Sequence, residues 1–406
     1  MKTKLFFIAF LTFSLSIQGF SQSNSLFEIG EKDSLYSKIL DESRSIWIEY
    51  PSNFNPNSSR KYPVLYLLDG DALLDIVSTV HRYYSGGFIP EMIIVGIANN
   101  ENRTRDLTTS KIEGFYTENG EAEKFTQFIE KELIPFIEKK HPVTQYRTLI
   151  GHSYGGLFTI NTLIHHRDLF QNYLAIDPSL DWDNQKLLKA SKDILSKTDY
   201  TEKSLFITLG GQLHLQNSAI TIDNVMEDST DFTLFARSNI EFFELAKQSN
   251  NNLNSEWRFY KNDLHGTVPL PSVMDGLIYL FDWFQMENTA VINDFETPKD
   301  TILSVFRTRE AKLKKHFDYA VPPYEEELIN MLGYMYLEIQ QLEKSLMFFQ
   351  LNIEYYPNSV NVYDSIADYY EAQEDFKNAY KNAKKAFEID DSDYYKERMK
   401  TFKKKR

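Results

Sequence analysis

The sequence predicts an α/β fold with a doubly wound sheet, followed by a small all-α domain. Short apolar runs that suit buried parallel strands alternate with amphipathic helical segments in the first two thirds of the chain. A glycine-flanked turn joins one of these strands directly to a helix. Beyond residue 326 the pattern is helical only and repeats itself at an offset of 34 residues.

A chain of 406 residues exceeds one ordinary domain, and we divide it into four segments. Residues 1–21 are predicted to be a signal peptide and residues 22–295 the α/β domain. Residues 296–325 are a linker or helix, and residues 326–400 are helical repeats.

The N-terminus has the three parts of a secretory signal. Lys2 and Lys4 precede an apolar run at 5–17, and Gly19-Phe20-Ser21 forms a cleavage site with small residues at both ends. The run is too short to span a bilayer, so we expect an exported protein, periplasmic or secreted, without a membrane span. The chain has no cysteine, so disulfides do not support its fold.

The chain is acidic, with a formal net charge of −14. Removal of residues 1–21 deletes two lysines and no acids, which changes that charge to −16. Such a field disfavours nucleic acid and anionic membranes as partners.

Seven strands are predicted from apolar or alternating runs, at residues 45–51, 62–68, 91–98, 146–150, 170–176, 204–209 and 256–260. A helix is predicted at 121–139, where Pro135 must kink or divide it. Arg103 and Arg105 follow the third predicted strand at its ligand-binding end. For these two side chains a structural salt bridge is favoured over contact with a substrate anion.

The turn is Gly151-His152-Ser153-Tyr154-Gly155-Gly156, which matches the G-x-S-x-G nucleophile elbow of α/β-hydrolases. We predict that Ser153 is the nucleophile and that glycine is required two residues before and two residues after it. The backbone N–H of Tyr154 is predicted to bind the oxyanion. The loop after the strand at 62–68 supplies the second N–H, from Gly70 or Asp71.

The general base is predicted to be His265, because the fold places its histidine after the last strand. Among the other histidines, His165 and His166 lie far down the helix that follows the serine, His214 comes one strand too early, and His316 lies beyond the α/β domain.

The acid of the site is the least defined member. No carboxylate follows Gly210-Gly211 directly, and we favour Asp228, which also suits a helix cap. The alternatives are Asp223, Asp231, Asp177 and a Ser-His dyad without an acid. No cysteine, H-E-x-x-H motif, phosphate loop or strand-linked G-x-G-x-x-G occurs, so no cofactor or metal is predicted.

Five motifs in this order resemble the putative esterase family of α/β-hydrolases, which includes enterochelin esterases, feruloyl esterases and S-formylglutathione hydrolase. They are Leu67-Leu68-Asp69-Gly70, Asn102-Arg103-Thr104-Arg105-Asp106, GHSYGG, Asp177-Pro178-Ser179 and HGTVPL. The resemblance covers residues 27–290 and implies a serine hydrolase with Ser153 as nucleophile and His265 as base. The chain departs from family members that carry an acid just after the strand predicted here at 204–209, because Gly210-Gly211 stands at that place.

The C-terminal segment is predicted to contain two tetratricopeptide-like repeats. Leu332, Gly333, Tyr336 and Ser345 match Ile366, Ala367, Tyr370 and Ala379, while Phe349 and Pro357 fit the first copy. Two repeats are fewer than such arrays need for independent stability, so we expect them to pack on the α/β domain through residues 301–320.

The function that the sequence favours is an exported carboxylic-ester hydrolase acting on a small-molecule ester. Tyr83, Tyr84, Tyr154 and Trp182 are candidates to line its mouth. The same machinery suits acyl transfer or thioester hydrolysis. The rival from another class is a catalytically weak scaffold whose repeats bind a partner protein.

Overall fold

An eight-stranded mixed sheet forms the centre of the α/β domain, in the strand order β1-β2-β4-β3-β5-β6-β7-β8. The computed structural model describes residues 29–52, 54, 56, 60–214 and 216–406, so the predicted signal peptide lies outside the described residues. The strands are β1 (Glu31–Ser37), β2 (Glu42–Glu49), β3 (Tyr62–Leu67), β4 (Ile93–Ile97), β5 (Val143–His152), β6 (Asn172–Ile176), β7 (Ser204–Gly210) and β8 (Asn254–Tyr260). From β3 onward the neighbouring strands are parallel, whereas β2 is antiparallel to both β1 and β4.

Helices connect the parallel strands and form the whole of the chain after β8. They are α1 (Gly70–Tyr84), α2 (Arg103–Leu107), α3 (Ala122–Phe128), α4 (Ile134–Lys140), α5 (Tyr154–His165), α6 (Trp182–Lys197), α7 (Leu234–Gln248), α8 (Pro269–Leu280), α9 (Thr289–Asn293), α10 (Lys299–Phe317), α11 (Glu326–Glu338), α12 (Leu342–Tyr355), α13 (Val360–Ala372), α14 (Phe376–Ile389) and α15 (Asp393–Lys405). The predicted fold class, a doubly wound α/β-hydrolase sheet followed by an all-α region, is confirmed.

Both faces of the sheet are covered by helices, as continuous apolar strands require. Tyr66 on β3 points into a core shared with α3, α5, α6 and α7. Its neighbour Leu67 points into the opposite core, which includes residues of α1, α8 and α10. The alternation along one strand therefore supplies both cores.

Two elements differ from the sequence prediction. The edge strand β1 was not predicted, because its sequence EKDSLYS has no apolar run and only Ser37 is buried. The predicted helix at 121–139 is one continuous helix from α3 to α4, with a π-helical turn at Ile129–Leu133 between them. This wider turn comes directly before Pro135, whose missing N–H would interrupt regular α-helical bonding.

The C-terminal region consists of two helical hairpins and a last helix. α11 and α12 form the first pair and α13 and α14 the second, and each helix of the second pair begins and ends 34 residues after its counterpart, as in 326 to 360 and 342 to 376. Leu332, Gly333 and Ser345 are buried, and a Cβ on Gly333 would meet the ring of Phe349 on α12. The tetratricopeptide assignment and the domain boundaries stay predictions.

α10 joins the two regions. Its first half contributes Ile302 and Phe306 to the core of α11 and α12. Its last turns contribute Leu313 and Phe317 to the core beneath the sheet, which is the core that α1 and α8 cover. Within the residues that the structure describes, no helix combines the length and the apolar character needed to cross a bilayer.

Candidate active site

Ser153 occupies a strained turn between β5 and α5. Its backbone has φ 61° and ψ −116°, a conformation that costs energy for any residue with a Cβ. A Cβ on Gly151 would lie 2.2 Å from the carbonyl oxygen of Gly155, and one on Gly156 would lie 2.8 Å from Pro178. A Cβ on Gly155 would meet only ordinary contacts, the nearest at 3.4 Å. The tight packing therefore requires glycine at 151 and 156, and not at 155 as the sequence prediction had it.

The hydroxyl of Ser153 lies beside a second serine. The two Oγ atoms of Ser153 and Ser179 are 3.4 Å apart, and the Ser179 N–H donates to the Ser153 carbonyl at 3.1 Å. Among the described residues, Ser153 Oγ forms no other side-chain hydrogen bond, and none to His265. A longer separation of nucleophile and base is common in sites without substrate.

His265 lies in the loop between β8 and α8 and is paired with a buried carboxylate. Its Nδ1–H donates to Oδ2 of Asp177 at 2.6 Å, and Oδ1 of Asp177 accepts the Gly210 N–H at 2.9 Å. Asp177 is 2% exposed and has φ 42°. With its proton on Nδ1, the imidazole has its lone pair on Nε2, the atom that a general base uses.

The structure does not bring Asp228, the predicted acid, to His265. Its carboxylate accepts hydrogen bonds from the hydroxyls of Thr230 at 2.5 Å and Thr233 at 2.7 Å in the turn before α7, and it forms no hydrogen bond with His265. The alternatives Asp223 and Asp231 are exposed. The carboxylate that contacts His265 belongs to Asp177, one strand earlier.

The backbone groups predicted for the oxyanion lie at two neighbouring helix N-termini. Gly70 begins α1 after β3, and Tyr154 begins α5 after β5, and these two strands are paired. Helix N-termini carry partial positive charge and free N–H groups. A Cβ on Gly70 would lie 2.5 Å from the Cα of Gly96, so only glycine allows this approach. Asp71 lies in the first turn of α1, where its Oδ1 accepts the Asn99 N–H at 3.4 Å.

Aromatic rings form one side of the site. Tyr154 makes an edge contact with Trp182 at 5.3 Å, and Trp182 makes another with Phe115 at 5.1 Å. The indole N–H of Trp182 donates to the Ser110 carbonyl at 2.9 Å, which fixes the ring.

Tyr83 and Tyr84, which the sequence analysis placed at the mouth, lie instead at the far end of α1. Gly70 begins this helix at the site, and the 15 residues of α1 span roughly 22 Å at 1.5 Å per residue.

His152, directly before Ser153, is a residue whose contacts the sequence analysis did not anticipate. Burial lowers the pKa of His152 to about 4, helped by the nearby His265. Its Nε2–H donates to the His265 carbonyl at 2.8 Å, and the two rings are 4.6 Å apart. A neutral imidazole thereby ties the elbow to the loop that carries His265. Burial also raises the pKa of the Tyr154 hydroxyl and of the Asp181 carboxyl beside it.

Among the described residues, His165, His166 and His316 form no side-chain hydrogen bond with Ser153 or His265. His165 and His166 are at the end of α5, where His166 contacts Glu123, and His316 stacks on Trp283 at 3.6 Å in the C-terminal region. In the part of the chain that the structure describes, no group of three or more His, Asp or Glu side chains could hold a metal ion.

Arg103 and Arg105 both form ion pairs within the protein. Arg103 binds Asp69 through two hydrogen bonds, and Arg105 binds Glu42 and Asp106. Asp106 is buried and also pairs with Arg44.

Comparison with known proteins shows what this chain is similar to. The family model described as "Putative esterase" matches residues 37–226. The ferri-bacillibactin esterase BesA of Bacillus subtilis is 32% identical over 203 residues, which cover 45% of this chain and 70% of that protein. The solved structure of an IroE-like serine hydrolase from Shewanella oneidensis is 28% identical, with a TM-score of 0.63 over 80% of this chain and 99% of that one.

A third relative extends over more of the chain. An uncharacterised protein from Capnocytophaga ochracea shares the fold over 92% of this chain and 99% of its own, with 19% identity and a TM-score of 0.60. The relatives that are named esterases support an esterase function. BesA is 32% identical and the match covers 70% of its length, so the chain belongs to the putative esterase family.

Proposed function

We propose that the protein is an exported serine hydrolase of carboxylic esters, in which Ser153, His265 and Asp177 form the catalytic triad. The observation that carries the proposal is the 2.6 Å hydrogen bond from His265 to Asp177, a fully buried carboxylate at the end of the strand next to the elbow. This pairing gives an imidazole the orientation and the tautomer that a serine nucleophile needs.

The reaction follows from the positions of these groups. Ser153 Oγ attacks the ester carbonyl while Nε2 of His265 takes its proton, and Asp177 stabilises the imidazolium that forms. The N–H groups of Tyr154 and of Gly70 or Asp71 stabilise the oxyanion. His265 returns the proton to the leaving alcohol, which leaves an acyl group on Ser153. Water activated by the same imidazole then releases the acid.

The relatives suggest the substrate class. BesA is named a ferri-bacillibactin esterase, and a relative from Emericella nidulans, 31% identical over 191 residues, is named a siderophore enterobactin esterase. We therefore propose a siderophore ester as the substrate. The wall of Tyr154, Trp182 and Phe115 suits the aromatic or extended apolar groups of such a molecule.

Export belongs to the proposal because of the signal-like residues 1–21. Mass spectrometry of the protein expressed with its full N-terminus tests it: a mature chain that starts at Gln22 is expected in the periplasm or medium. An uncleaved chain in the cytoplasm would refute export.

The central experiment measures hydrolysis of short-chain p-nitrophenyl esters by the wild type and four variants. Ser153→Ala and His265→Ala are expected to lower kcat by at least about 10⁴-fold. Asp177→Asn is expected to lower it about 10³–10⁴-fold, because the amide favours the wrong imidazole tautomer. Asp228→Asn is the matched control, and its kcat should stay within about twofold because Asp228 only caps a surface turn.

The outcome also judges the scaffold alternative. That reading relied on the missing acid after Gly211, and it loses this support because His265 has Asp177 as a partner. A wild type no faster than Ser153→Ala, and not labelled by a fluorophosphonate, would refute the esterase. The helical repeats and their protein partner would then become the leading explanation.

A further inference from the structure

β8 is one edge of the sheet, and among the described residues no strand pairs with its outer side. Its inner side bonds to β7 in a parallel ladder, where the Asn254 N–H donates to the Lys203 carbonyl. Because backbone groups alternate along a strand, the N–H and C=O groups of Ser255, Trp257 and Phe259 point away from the sheet. Such a row of outward backbone groups is a template for another strand.

The Trp257 N–H shows this outward direction. It donates to Oε1 of Glu256 at 3.0 Å, an exposed carboxylate on the same strand, and not to β7. Glu256 itself forms no ion pair among the described residues. The carboxylate therefore covers an outward N–H while the edge is free. When a carbonyl of another strand takes its place, the carboxylate becomes available to a cation.

The sequence of β8 supplies that cation when the strand pairs with a reversed copy of itself. An antiparallel pair centred on Trp257 places Glu256 of each copy opposite Arg258 of the other, on the face that α8 covers. Arg258 is about half exposed, and its Nη1 lies 2.5 Å from Oδ2 of Asp275 on α8, so its guanidinium is held at this edge. A twofold axis forms the pair of Glu256 and Arg258 twice.

The same register satisfies the outward backbone groups. Ser255 of each copy meets Phe259 of the other and Trp257 meets its own counterpart, so each outward N–H faces a carbonyl. On the face opposite Arg258, Trp257 stacks on Phe243 of α7 at 5.7 Å and stays partly exposed. The second Trp257 ring, on the axis, would cover the exposed part, and buried tryptophans are typical anchors of interfaces.

The other edge of the sheet does not have this complementarity. On β1 the cation Lys32 stands between the acids Glu31 and Asp33, so it points to the opposite face of the strand. Residues directly opposite each other in an antiparallel pair share a face, so no reversed pairing of β1 brings Lys32 opposite either acid. The charge pattern that favours self-pairing therefore belongs to β8.

We propose that two copies of the chain form a dimer through β8, which joins their sheets into one continuous sheet with Trp257 on the twofold axis. The interface goes beyond the proposed function and does not rest on it. β6 and β7 separate this edge from β5, the strand that leads to Ser153.

Sedimentation of the full mature chain at about 1–100 µM tests the dimer. The wild type should approach twice the mass of one chain as its concentration rises. Glu256→Lys and Arg258→Glu should each raise the dimer Kd at least about tenfold, because each places like charges opposite one another at two positions. The double variant restores opposite charges, and its Kd should return to within about threefold of the wild type.

Two variants of β1 are the matched controls. Glu31→Lys and Lys32→Glu make the same changes of charge on exposed residues at the other edge of the sheet. Both should keep the wild-type Kd. An equal weakening in these controls would mean that net charge alone sets the association, and it would overturn the inference.

Ser255→Pro tests the backbone part of the interface. Proline removes one outward N–H and no hydrogen bond to β7, and edge strands tolerate it. This variant should be monomeric, and its thermal midpoint should stay within about 4 °C of the wild type. The charge variants leave the backbone unchanged, so restoration by the double variant decides the inference if the proline variant does not fold.

The other outcomes also decide it. A wild type that remains monomeric at about 100 µM would overturn the dimer. A dimer that survives in a folded Ser255→Pro, or single charge variants that the double variant does not restore, would place the interface elsewhere and overturn it as well. Sedimentation needs no turnover, so an active monomer would refute the dimer alone and an inactive dimer would refute the esterase alone.

Discussion

His81 is a buried histidine that makes the stability of the chain depend on pH. It lies in α1 at 3% exposure, and its Nε2 accepts the Met92 N–H at 2.9 Å, which requires a neutral ring. Burial lowers the pKa of His81 to about 4. The unfolded chain binds a proton near pH 6.5, whereas the folded chain does not until pH 4, so this group costs stability as the pH falls between these values.

The expected loss from His81 is about 3 kcal/mol between pH 7 and pH 4, at 1.36 kcal/mol for each pKa unit. Urea unfolding of the wild type and His81→Gln at several pH values measures it. The glutamine can still accept the Met92 N–H but cannot take up a proton, so its stability should fall less steeply below pH 6.5. Parallel curves for the two proteins would contradict the pKa of His81.

The site shows which residue roles a sequence can reveal. The roles proposed for Ser153, Tyr154 and Gly70 follow from short motifs, because a sharp turn is a local property of the backbone. The partner of His265 is not local, since Asp177 lies 88 residues away in the chain. A motif that places the acid after β7 led to Asp228, although Asp177 had been among the alternatives.

The packing at the end of β7 explains why glycines, and no carboxylate, follow this strand directly. A Cβ on Gly211 would lie 2.0 Å from the Lys261 carbonyl, so the backbone of the loop leading to His265 fills this space. The Gly211 N–H also donates to the Asp263 carbonyl at 2.7 Å, and the Gly210 N–H supports Asp177. The two glycines at the end of β7 thus contact the loop that carries His265 and the carboxylate of Asp177.

At the scale of elements, the buried strands were predictable and the edge was not. β3 and β4 have every residue buried, so their apolar runs identify them without any partner. β1 is mostly exposed and is held by pairing with β2 rather than by an apolar pattern of its own. The helix interrupted by Pro135 was also predictable, but the π-helical turn that accommodates the proline depends on backbone hydrogen bonds that composition does not specify.

α10 packs against both the helical region and the sheet domain, so we expect the two regions to unfold as one cooperative unit. Phe306 is buried among residues of α11 and α12, and Phe317 lies in the core beneath the sheet with Tyr146. Phe306→Ala and Phe317→Ala should each cost about 3–5 kcal/mol, as large-to-small changes in a core do. Because one helix bears both residues, both variants should lower the same transition.

Thermal inactivation of ester hydrolysis, followed beside loss of helical circular dichroism, measures this coupling. Both midpoints should fall together in each variant. The exposed Met331→Ala on α11 should change the free energy of unfolding by no more than about 0.5 kcal/mol, so both midpoints should stay near their wild-type values. If Phe306→Ala lowered only the circular dichroism midpoint, the helical region would unfold independently of the hydrolase.

At the scale of the whole molecule, two helical pairs are too few for an independent array, and their packing through α10 supplies the missing support. The helix bounds follow the 34-residue offset of the sequence, and the tetratricopeptide assignment stays a prediction. The aromatic residues Tyr336 and Phe348 are buried in the helical core, so their rings pack between helices and are not presented to a partner.

The net charge of −14 should set which charged esters reach the site. Close to Ser153, the charge of Arg103 is paired with Asp69, and Asp181 has no salt-bridge partner among the described residues. A negative field attracts cationic substrates and repels anionic ones over about 10 Å at 0.1 M salt, and added salt screens it.

Between 20 and 500 mM salt, kcat/KM should fall several-fold for a cationic ester, rise for an anionic one and stay constant for a neutral one of equal length. The same salt response in all three would mean that charge does not steer substrate, and a preference for the anionic ester at low salt would require a local cationic site that overrides the field.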